Sequence, residues 1–455
     1  MRRVFGFLVL CFAVAFLGAF WIQWDRPPRV DPGGVPAVAG GSTSLRLNVE
    51  SPGPGLARVR LLARREAQTW TLYEQSFPRS SWRGSAMQSA LVETVPNWGA
   101  LGISDGELHL ELWASTYGWH WRGHDRAPLW EGRIVLDTTP PRIELLTTQH
   151  NVRLGGVELA IWRQSPDAVQ TGVEVGSYFF PAALGYFADP QLALGLFAVP
   201  QDLDGSVQPR AVAVDAAGNR SQVNIPVRIQ VRRFAERTLA IDDDFLSRKV
   251  PEIEAANQLP ATGTLLERYL RINRDLRRRN EETLREMTRQ TGSMVHWLSA
   301  FHRQSNSAPL SSFADRRTYV YRGEEVDRQV HLGFDLASLK ASPVEAAQSG
   351  TVVFAGNLGI YGNTVVVDHG LGIFTLYGHL RSIEVQVGEP VTRGQRLGLT
   401  GETGLAAGDH LHFSVMLRGI HVDPVEWWDG DWIRKHLSAK IALFPVALAE
   451  KTSTP

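Results

Sequence analysis

Residues 331–335 are HLGFD, residues 376–380 are LYGHL, and residues 409–413 are DHLHF. Each stretch follows a turn-bounded segment with the character of a β-strand. In an extended strand, side chains two or four residues apart lie on the same face. We therefore expect a β-rich domain around these stretches, with several histidine and aspartate side chains pointing the same way.

The spacing within these stretches is that of a possible metal site. His410 and His412 share one strand face, and His331 and Asp335 can share another, although Gly333 between them can bend the strand. Two strand pairs of this kind can supply three protein ligands to a tetrahedral zinc, which leaves a fourth position for water. Each motif taken alone is a weak signal, and only their combination is informative.

The length and composition of the chain limit its number of domains, its partners and the kinds of metal site it can form. The chain has 455 residues, enough for two to four domains. Lys and Arg together number 47, as do Asp and Glu, so there is no overall basic field and no nucleic-acid partner is expected. Cys11 is the single cysteine, which excludes an intramolecular disulfide and a cysteine-based zinc site. Any metal must be bound by His, Asp or Glu.

Residues 305–430 resemble the lysostaphin-type (LytM-like) zinc metallopeptidases, which are peptidoglycan endopeptidases with the duplicated hybrid motif fold. The resemblance covers a little over a quarter of the chain. It rests on the collinear segments HLGFDLA, PVEAAQSGTVVFAG, YGNTVVVDHG, TLYGHL, VGEPVTRGQRLGLTGETG, GDHLHFSV and HVDPVEWW.

The resemblance implies a site and an activity. His331, Asp335 and His412 are expected to bind one Zn2+ per chain, and His379 and His410 to be the catalytic histidines. All five are present, whereas degenerate relatives that lack ligands act as binding or activating proteins. The implied reaction is hydrolysis of peptide bonds in the stems or cross-links of peptidoglycan, for cell-wall remodelling.

Three other polar residues of this region have less specific roles. We expect His369 to be a hydrogen-bonded structural histidine. His421 and Asp423 are expected to close the domain, with a second metal site as the alternative.

The N-terminus has the pattern of a membrane anchor. Residues 4–22 carry no charge and follow Arg2 and Arg3. At 1.5 Å per residue, a helix over this run would be about as long as the bilayer hydrocarbon is thick. The two arginines favour a cytoplasmic N-terminus. We predict a signal-anchor transmembrane helix over residues 1–24 in the inner membrane, with the bulk of the chain periplasmic; a cleaved signal peptide is the competing interpretation.

Two blocks of short alternating strands follow a Pro/Gly-rich linker at residues 25–42. DTTPP at 137–141 and AVDAAGN at 213–219 resemble segments of bacterial immunoglobulin-like repeats. We therefore predict two immunoglobulin-like β-sandwiches, over residues 43–138 and 139–233, as spacers or adhesive modules.

Residues 234–304 are the predicted helical linker, and within them the period of the apolar residues changes over residues 262–300. Leu265, Tyr269, Ile272 and Leu276 recur at steps of four, three and four, which predicts an amphipathic helix. It could pack on the following domain or bind a partner, and whether it occludes the groove stays open. Residues 431–455 are expected to be a tail.

The predicted fold class is thus mainly β: an N-terminal transmembrane helix, two immunoglobulin-like β-sandwiches, a helical linker and a C-terminal LytM-type peptidase domain. Expected partners are peptidoglycan, the inner membrane through the anchor, and envelope proteins through the sandwiches or the helix. The alternative function is a non-hydrolytic envelope scaffold or regulator of other cell-wall hydrolases. A peptidase acting on protein is a third possibility.

Overall fold

The structure is a computed structural model that describes residues 11–18, 28–81, 84–117 and 127–447. The chain divides into two compact units. Unit 1 contains residues 1–142, 167–170 and 213–221, and unit 2 contains residues 143–166, 171–212 and 222–455. The second predicted sandwich therefore belongs largely to the same unit as the region with the histidines.

Most of unit 1 consists of strands with one face on a core. In its third strand Leu45, Leu47 and Val49 are buried, whereas Arg46 and Glu50 are exposed, which is the period of two expected for such strands. These strands are β1 (Arg29–Gly34), β2 (Val38–Ala39), β3 (Leu45–Glu50), β4 (Leu56–Arg65), β5 (Gln68–Ser76), β6 (Ser89–Thr94), β7 (Gly106–Thr116) and β8 (Trp130–Leu136). They form a sheet of order β1-β3-β6 and another of order β2-β8-β7-β4-β5.

The next block continues the β pattern through residue 230. Its strands are β9 (Ile143–Leu145), β10 (His150–Arg153), β11 (Val157–Gln164), β12 (Ala168–Val175), β13 (Tyr178–Pro181), β14 (Ala183–Leu184), β15 (Leu192–Ala198), β16 (Arg210–Asp215), β17 (Arg220–Asn224) and β18 (Val227–Gln230). The sheet orders are β14-β15-β11-β9, β13-β12-β16-β17 and β10-β18. These strands agree with the β-rich prediction, and the immunoglobulin-like assignment stays a prediction.

The remainder of unit 2 combines helices with the sheet that carries the histidines. Its helices are α1 (Asp243–Asn257), α2 (Leu265–Arg271), α3 (Arg277–Met287), α4 (Pro424–Trp428), α5 (Gly430–Ile433) and α6 (Ala439–Ile441), with π-helical turns at Ile272–Leu276 and Arg434–Ser438 and a 3-10 turn at Gly359–Tyr361. Its strands are β19 (Glu236–Ile241), β20 (Ala308–Ser311), β21 (Arg316–Tyr321), β22 (Glu324–Val330), β23 (Phe334–Ala337), β24 (Pro343–Glu345), β25 (Gly350–Asn357), β26 (Asn363–Asp368), β27 (Ile373–Leu380), β28 (Ser382–Ile383), β29 (Pro390–Val391), β30 (Arg396–Leu399), β31 (Leu411–Leu417) and β32 (Ile420–Val422). The largest sheet has the order β20-β23-β31-β27-β26-β25-β29, with β32 beside β31.

The predicted N-terminal anchor is wrong on this structure. Within the described residues, no helix is both long and apolar enough to cross a bilayer. Of the predicted segment, the structure describes residues 11–18, which are helical. The rest of the predicted segment lies outside the described residues. The transmembrane helix and the single-pass inner-membrane localisation derived from it are therefore corrected.

The helix from Leu265 to Met287 is part of the packed body of unit 2. It begins with a capping box in which Thr264 and Glu267 bond each other's backbone N–H groups. Its buried face includes Tyr269 and Leu284, which share a core cluster with strand residues of the large sheet such as Phe374. The predicted helical segment is thus a structural layer beneath the sheet. One part of the predicted linker, β19, is a strand that pairs in parallel with β21.

The C-terminal segment predicted as a tail is helical as far as Ile441 and packs on the second β-block. The Glu158 carboxylate of β11 is fully buried, and Lys440 Nζ donates to its Oε1 at 2.8 Å. His436 Nδ1 lies 2.9 Å from the other oxygen. Burial alone raises the Glu158 pKa, but His436 and Lys440 outweigh burial and lower it. The β-block and the C-terminal helices therefore share one core in unit 2.

A buried carboxyl in the same contact region gives a pH-dependent stability. Glu426 is 3% exposed and accepts a hydrogen bond from the Val157 N–H at 3.1 Å. Burial raises its pKa from 4.5 to about 8, so the folded chain holds a proton that the unfolded chain releases above pH 4.5. Its contribution to the free energy of unfolding is fully present below pH 4.5 and is lost as the pH rises toward 8.

We therefore expect Glu426→Gln to raise the melting temperature of the metal-free protein above that of the wild type at pH 8, and to do so much less at pH 5. Glutamine keeps an oxygen for the Val157 N–H and cannot ionise. Thermal melts followed by circular dichroism at three pH values check this. Parallel pH profiles of the two proteins would contradict it.

Candidate metal centre

The pairing of two strands brings the first two site residues together. In the antiparallel β23–β31 pair, Asp335 is directly opposite His412, so their side chains lie on the same face. His331 precedes β23, and its backbone N–H donates to Asp315 O at 2.9 Å. This contact anchors His331 beside the strand end, where its ring reaches the same face.

Three donor atoms converge there. His331 Nε2 lies 3.0 Å from Asp335 Oδ1 and 3.1 Å from His412 Nδ1, and the last two atoms are 2.9 Å apart. Donors about 2.0–2.1 Å from a tetrahedral zinc would be about 3.3 Å apart. The triangle therefore fits zinc after outward shifts of a few tenths of an ångström. All three residues are at least nine-tenths buried.

Hydrogen bonds fix which nitrogen of each ring faces the triangle. His331 Nδ1–H donates to Ser312 O at 2.9 Å, which leaves Nε2 with a free lone pair. The Ser414 hydroxyl donates to Leu332 O at 2.9 Å, so it must accept from His412 Nε2–H, 3.1 Å away. His412 Nδ1 is then unprotonated. Both imidazoles thus present the neutral nitrogen that a metal requires.

His379 and His410 complete the group. Their ring centroids are 4.9 Å apart, and that of His379 is 5.7 Å from that of His412. His379 Nδ1–H donates to Thr403 O and His410 Nδ1–H to Gly408 O, each at 2.8 Å. Each ring therefore has a bare Nε2 available to take a proton.

The backbone of His379 is unusual. Its φ is +63°, and the register of β26 and β27 shifts next to it. A left-handed non-glycine residue costs roughly 1–2 kcal/mol, and a bulge re-aims the side chain it carries. The strain lies at the position that turns this imidazole toward the cluster.

The pKa values of the titratable groups in the cluster shift in different directions. Burial alone raises the pKa of Asp335, but the neighbouring imidazoles of His331, His410 and His412 hold it well below 3.8. Burial lowers the pKa of His412 to about 4, and burial with the neighbouring rings holds that of His379 well below 6.5. Burial also opposes a charge on His410, but the Asp335 carboxylate, 3.6 Å from His410 Nε2, raises its pKa. The site thus holds one carboxylate among mainly neutral imidazoles.

The His412 ring packs so closely against residue 333 that only glycine fits there. A β-carbon at this position would lie 2.4 Å from His412 Cε1 and Nε2 and 2.6 Å from Ser414 Oγ. The glycine in HLGFD therefore makes room for the His412 ring and its hydroxyl partner.

A cleft of about 560 Å3 lies over the cluster. Part of its wall comes from residues before 329, in the predicted linker and at the start of the predicted peptidase domain. These residues include Arg248, Tyr269, Arg277, Arg317 and Tyr319. No local spacing in the sequence placed them at the site, because they reach it through long-range packing.

The remaining candidates do not join the cluster. Both ring nitrogens of His369 are engaged, by Ser349 O and Thr375 Oγ1 at 2.7 Å, which agrees with a structural histidine. His421 Nε2 lies 3.1 Å from Glu281 Oε2, whereas Asp423 pairs with Arg232 at 2.8 Å. These two residues therefore have separate partners and form no second metal group among the described residues.

Residues 329–424 match the model of Peptidase family M23. All five residues of the cluster lie inside this match. The chain contains a peptidase M23 domain. The M23 domain is similar to the DD-carboxypeptidase/endopeptidase Mpg of Neisseria meningitidis serogroup B, with 38% identity over 97 residues. It is similar to the peptidoglycan DD-endopeptidase ShyA of Vibrio cholerae, with 42% identity over 96 residues.

This chain spans about a fifth of the length of the curated relatives that it matches. Each alignment covers 21% of this chain and 22% of the relative. Among solved structures, the catalytic domain of the antimicrobial peptidase lysostaphin from Staphylococcus simulans is 28% identical. The structural match covers 27% of this chain and 92% of the lysostaphin catalytic domain, with a TM-score of 0.23.

Proposed function

We propose that this protein is a zinc-dependent endopeptidase that hydrolyses peptide bonds in peptidoglycan during cell-wall remodelling. One observation carries the proposal: His331 Nε2, Asp335 Oδ1 and His412 Nδ1 form a triangle with sides of 2.9–3.1 Å inside the M23 domain. Its donor set of two imidazoles and one carboxylate suits a catalytic zinc.

The roles of the chain's residues follow from their free atoms. His331, Asp335 and His412 would hold the metal, which when bound supplies Lewis acidity toward a scissile carbonyl and a water molecule. The bare Nε2 atoms of His379 and His410 can take the proton released as water attacks, or hold the attacking water in place. Their Nδ1–H bonds to backbone carbonyls keep both rings in the tautomer that this requires.

The substrate is inferred from the relatives. Mpg is named as a DD-carboxypeptidase/endopeptidase, and ShyA as a peptidoglycan DD-endopeptidase. The cleft over the cluster is large enough for several residues of an extended peptide. A D-Ala–diaminopimelate cross-link is therefore the proposed bond. The complete set of five residues favours hydrolysis over the scaffold alternative.

Digestion of purified sacculi tests the proposal. The zinc-loaded full chain is expected to convert cross-linked muropeptides to monomers, as detected by mass spectrometry. His410→Ala is the control, because it removes a free imidazole nitrogen and leaves the donor triangle intact. Bound zinc with no cleavage of sacculi of any cross-link type would support the scaffold instead.

A further inference from the structure

The two oxygens of Asp335 have different partners. Oδ1 faces the cluster, 3.0 Å from His331 Nε2 and 2.9 Å from His412 Nδ1. Oδ2 accepts a hydrogen bond from Arg317 Nη2 at 3.1 Å. The carboxylate is therefore shared between the cluster and a guanidinium.

Arg317 lies outside the family match. It belongs to β21, where it pairs with Gln329 of β22 and, on the other side, with Arg237 of β19. The three-stranded sheet formed by these strands is separate from the large sheet that carries Asp335. Arg317, a residue of a second sheet, thus lies next to Asp335 of the M23 domain.

The ion pair is largely removed from water. The Arg317 side chain is 18% exposed and that of Asp335 is 7% exposed. Arg317 Nε is buried and has no hydrogen-bond partner among the described residues. A buried guanidinium is costly unless it is paired, so the bond to Asp335 Oδ2 is the contact that compensates its burial.

This arrangement has a consequence for metal binding. A carboxylate can bind a metal through one oxygen or both. With Oδ2 engaged by a charge-assisted hydrogen bond, only Oδ1 is directed toward the histidines. The coordination number is then limited by the protein, and a position is left for the reactants.

We infer that Arg317 is a positioning residue that keeps Asp335 a one-oxygen ligand of the metal in this site. The inference rests on the proposed function only in taking the His331–Asp335–His412 triangle as the metal site. Strand β21, which lies outside residues 329–424, thereby contributes a residue to the metal site.

Two variants of the full chain test the charge while keeping the length of the side chain. Arg317→Met preserves the apolar stem but cannot hydrogen-bond Oδ2. We expect its zinc affinity to fall about 10- to 100-fold, as for other lost partners of metal ligands. Arg317→Lys retains a charged donor, and we expect it to keep most of the affinity. Arg316→Ala, from the same strand but with an exposed side chain, is the matched control and should bind zinc as the wild type does.

Competition with a chromophoric chelator measures the affinity, and the visible spectrum of the cobalt-loaded protein reports the coordination. Arg317→Met is expected to show the weaker absorption of a higher coordination number, because Oδ2 is released. Wild-type affinity and spectrum in Arg317→Met would overturn the inference. So would an equal loss in Arg317→Met and Arg317→Lys, because the effect would then not depend on charge. Failure of the wild type to bind zinc would instead reject the proposed function.

Discussion

His412→Ala is expected to abolish stoichiometric zinc binding, whereas His379→Ala is expected to keep the zinc and lose hydrolysis. Removing His412 deletes one corner of a triangle with sides of 2.9–3.1 Å, and the two remaining donors cannot enclose the ion. Zinc affinity should fall by more than about 100-fold, beyond the range seen when only a ligand's partner is lost.

His379 provides the matched comparison, because it is equally buried, on a neighbouring strand, and outside the triangle. Losing its free Nε2 should reduce the rate on sacculi about 10²- to 10⁴-fold, the range of a proton-transferring group. Metal analysis after dialysis and muropeptide release measure the two effects on the same samples. Zinc retained by His412→Ala, or full activity in His379→Ala, would reject the assignment.

A chain that begins at residue 305 is expected not to fold. The helix from Leu265 to Met287 covers apolar residues of the M23 domain that are at most 5% exposed. These are Leu358, Ile360, Tyr361, Phe374, Leu376 and Met416. Exposing a fully buried side chain of this size costs about 1.5–3 kcal/mol. The sum, on the order of 10 kcal/mol, is comparable with the whole stability of a domain.

Polar contacts add to this loss. Asn280 Oδ1 accepts from the Ile360 N–H at 3.0 Å, and Tyr361 O–H donates to Glu281 at 2.6 Å. The Tyr361 ring in turn lies 5.2 Å from that of His412. A chain that begins at residue 143 keeps the helix and both core clusters of unit 2, and is the control. We expect a cooperative thermal transition by circular dichroism from the longer chain only, and a cooperative transition from residues 305–455 would contradict the prediction.

The sequence alone identified the residues that the structure brings together in the cluster. The spacing of His410 and His412 predicted a shared strand face, and both rings point into the same cluster. The period of Leu265, Tyr269 and Ile272 predicted the helix that is observed. Both patterns depend on local geometry, namely a repeat of 2.0 residues in strands and 3.6 in helices. Hydropathy alone failed at the N-terminus, where the predicted membrane helix is not found among the described residues.

By itself, then, the sequence determined which residue types lie on a common face and, through its motifs, the M23 domain. Only the tertiary structure decided that β23 and β31 place Asp335 opposite His412, that β21 brings Arg317 to the second oxygen of Asp335, and that the predicted linker is a structural layer. These contacts join residues that are far apart in the sequence, such as Asp335 and His412, 77 positions apart. They depend on strand register and on packing between distant segments, which no local periodicity encodes.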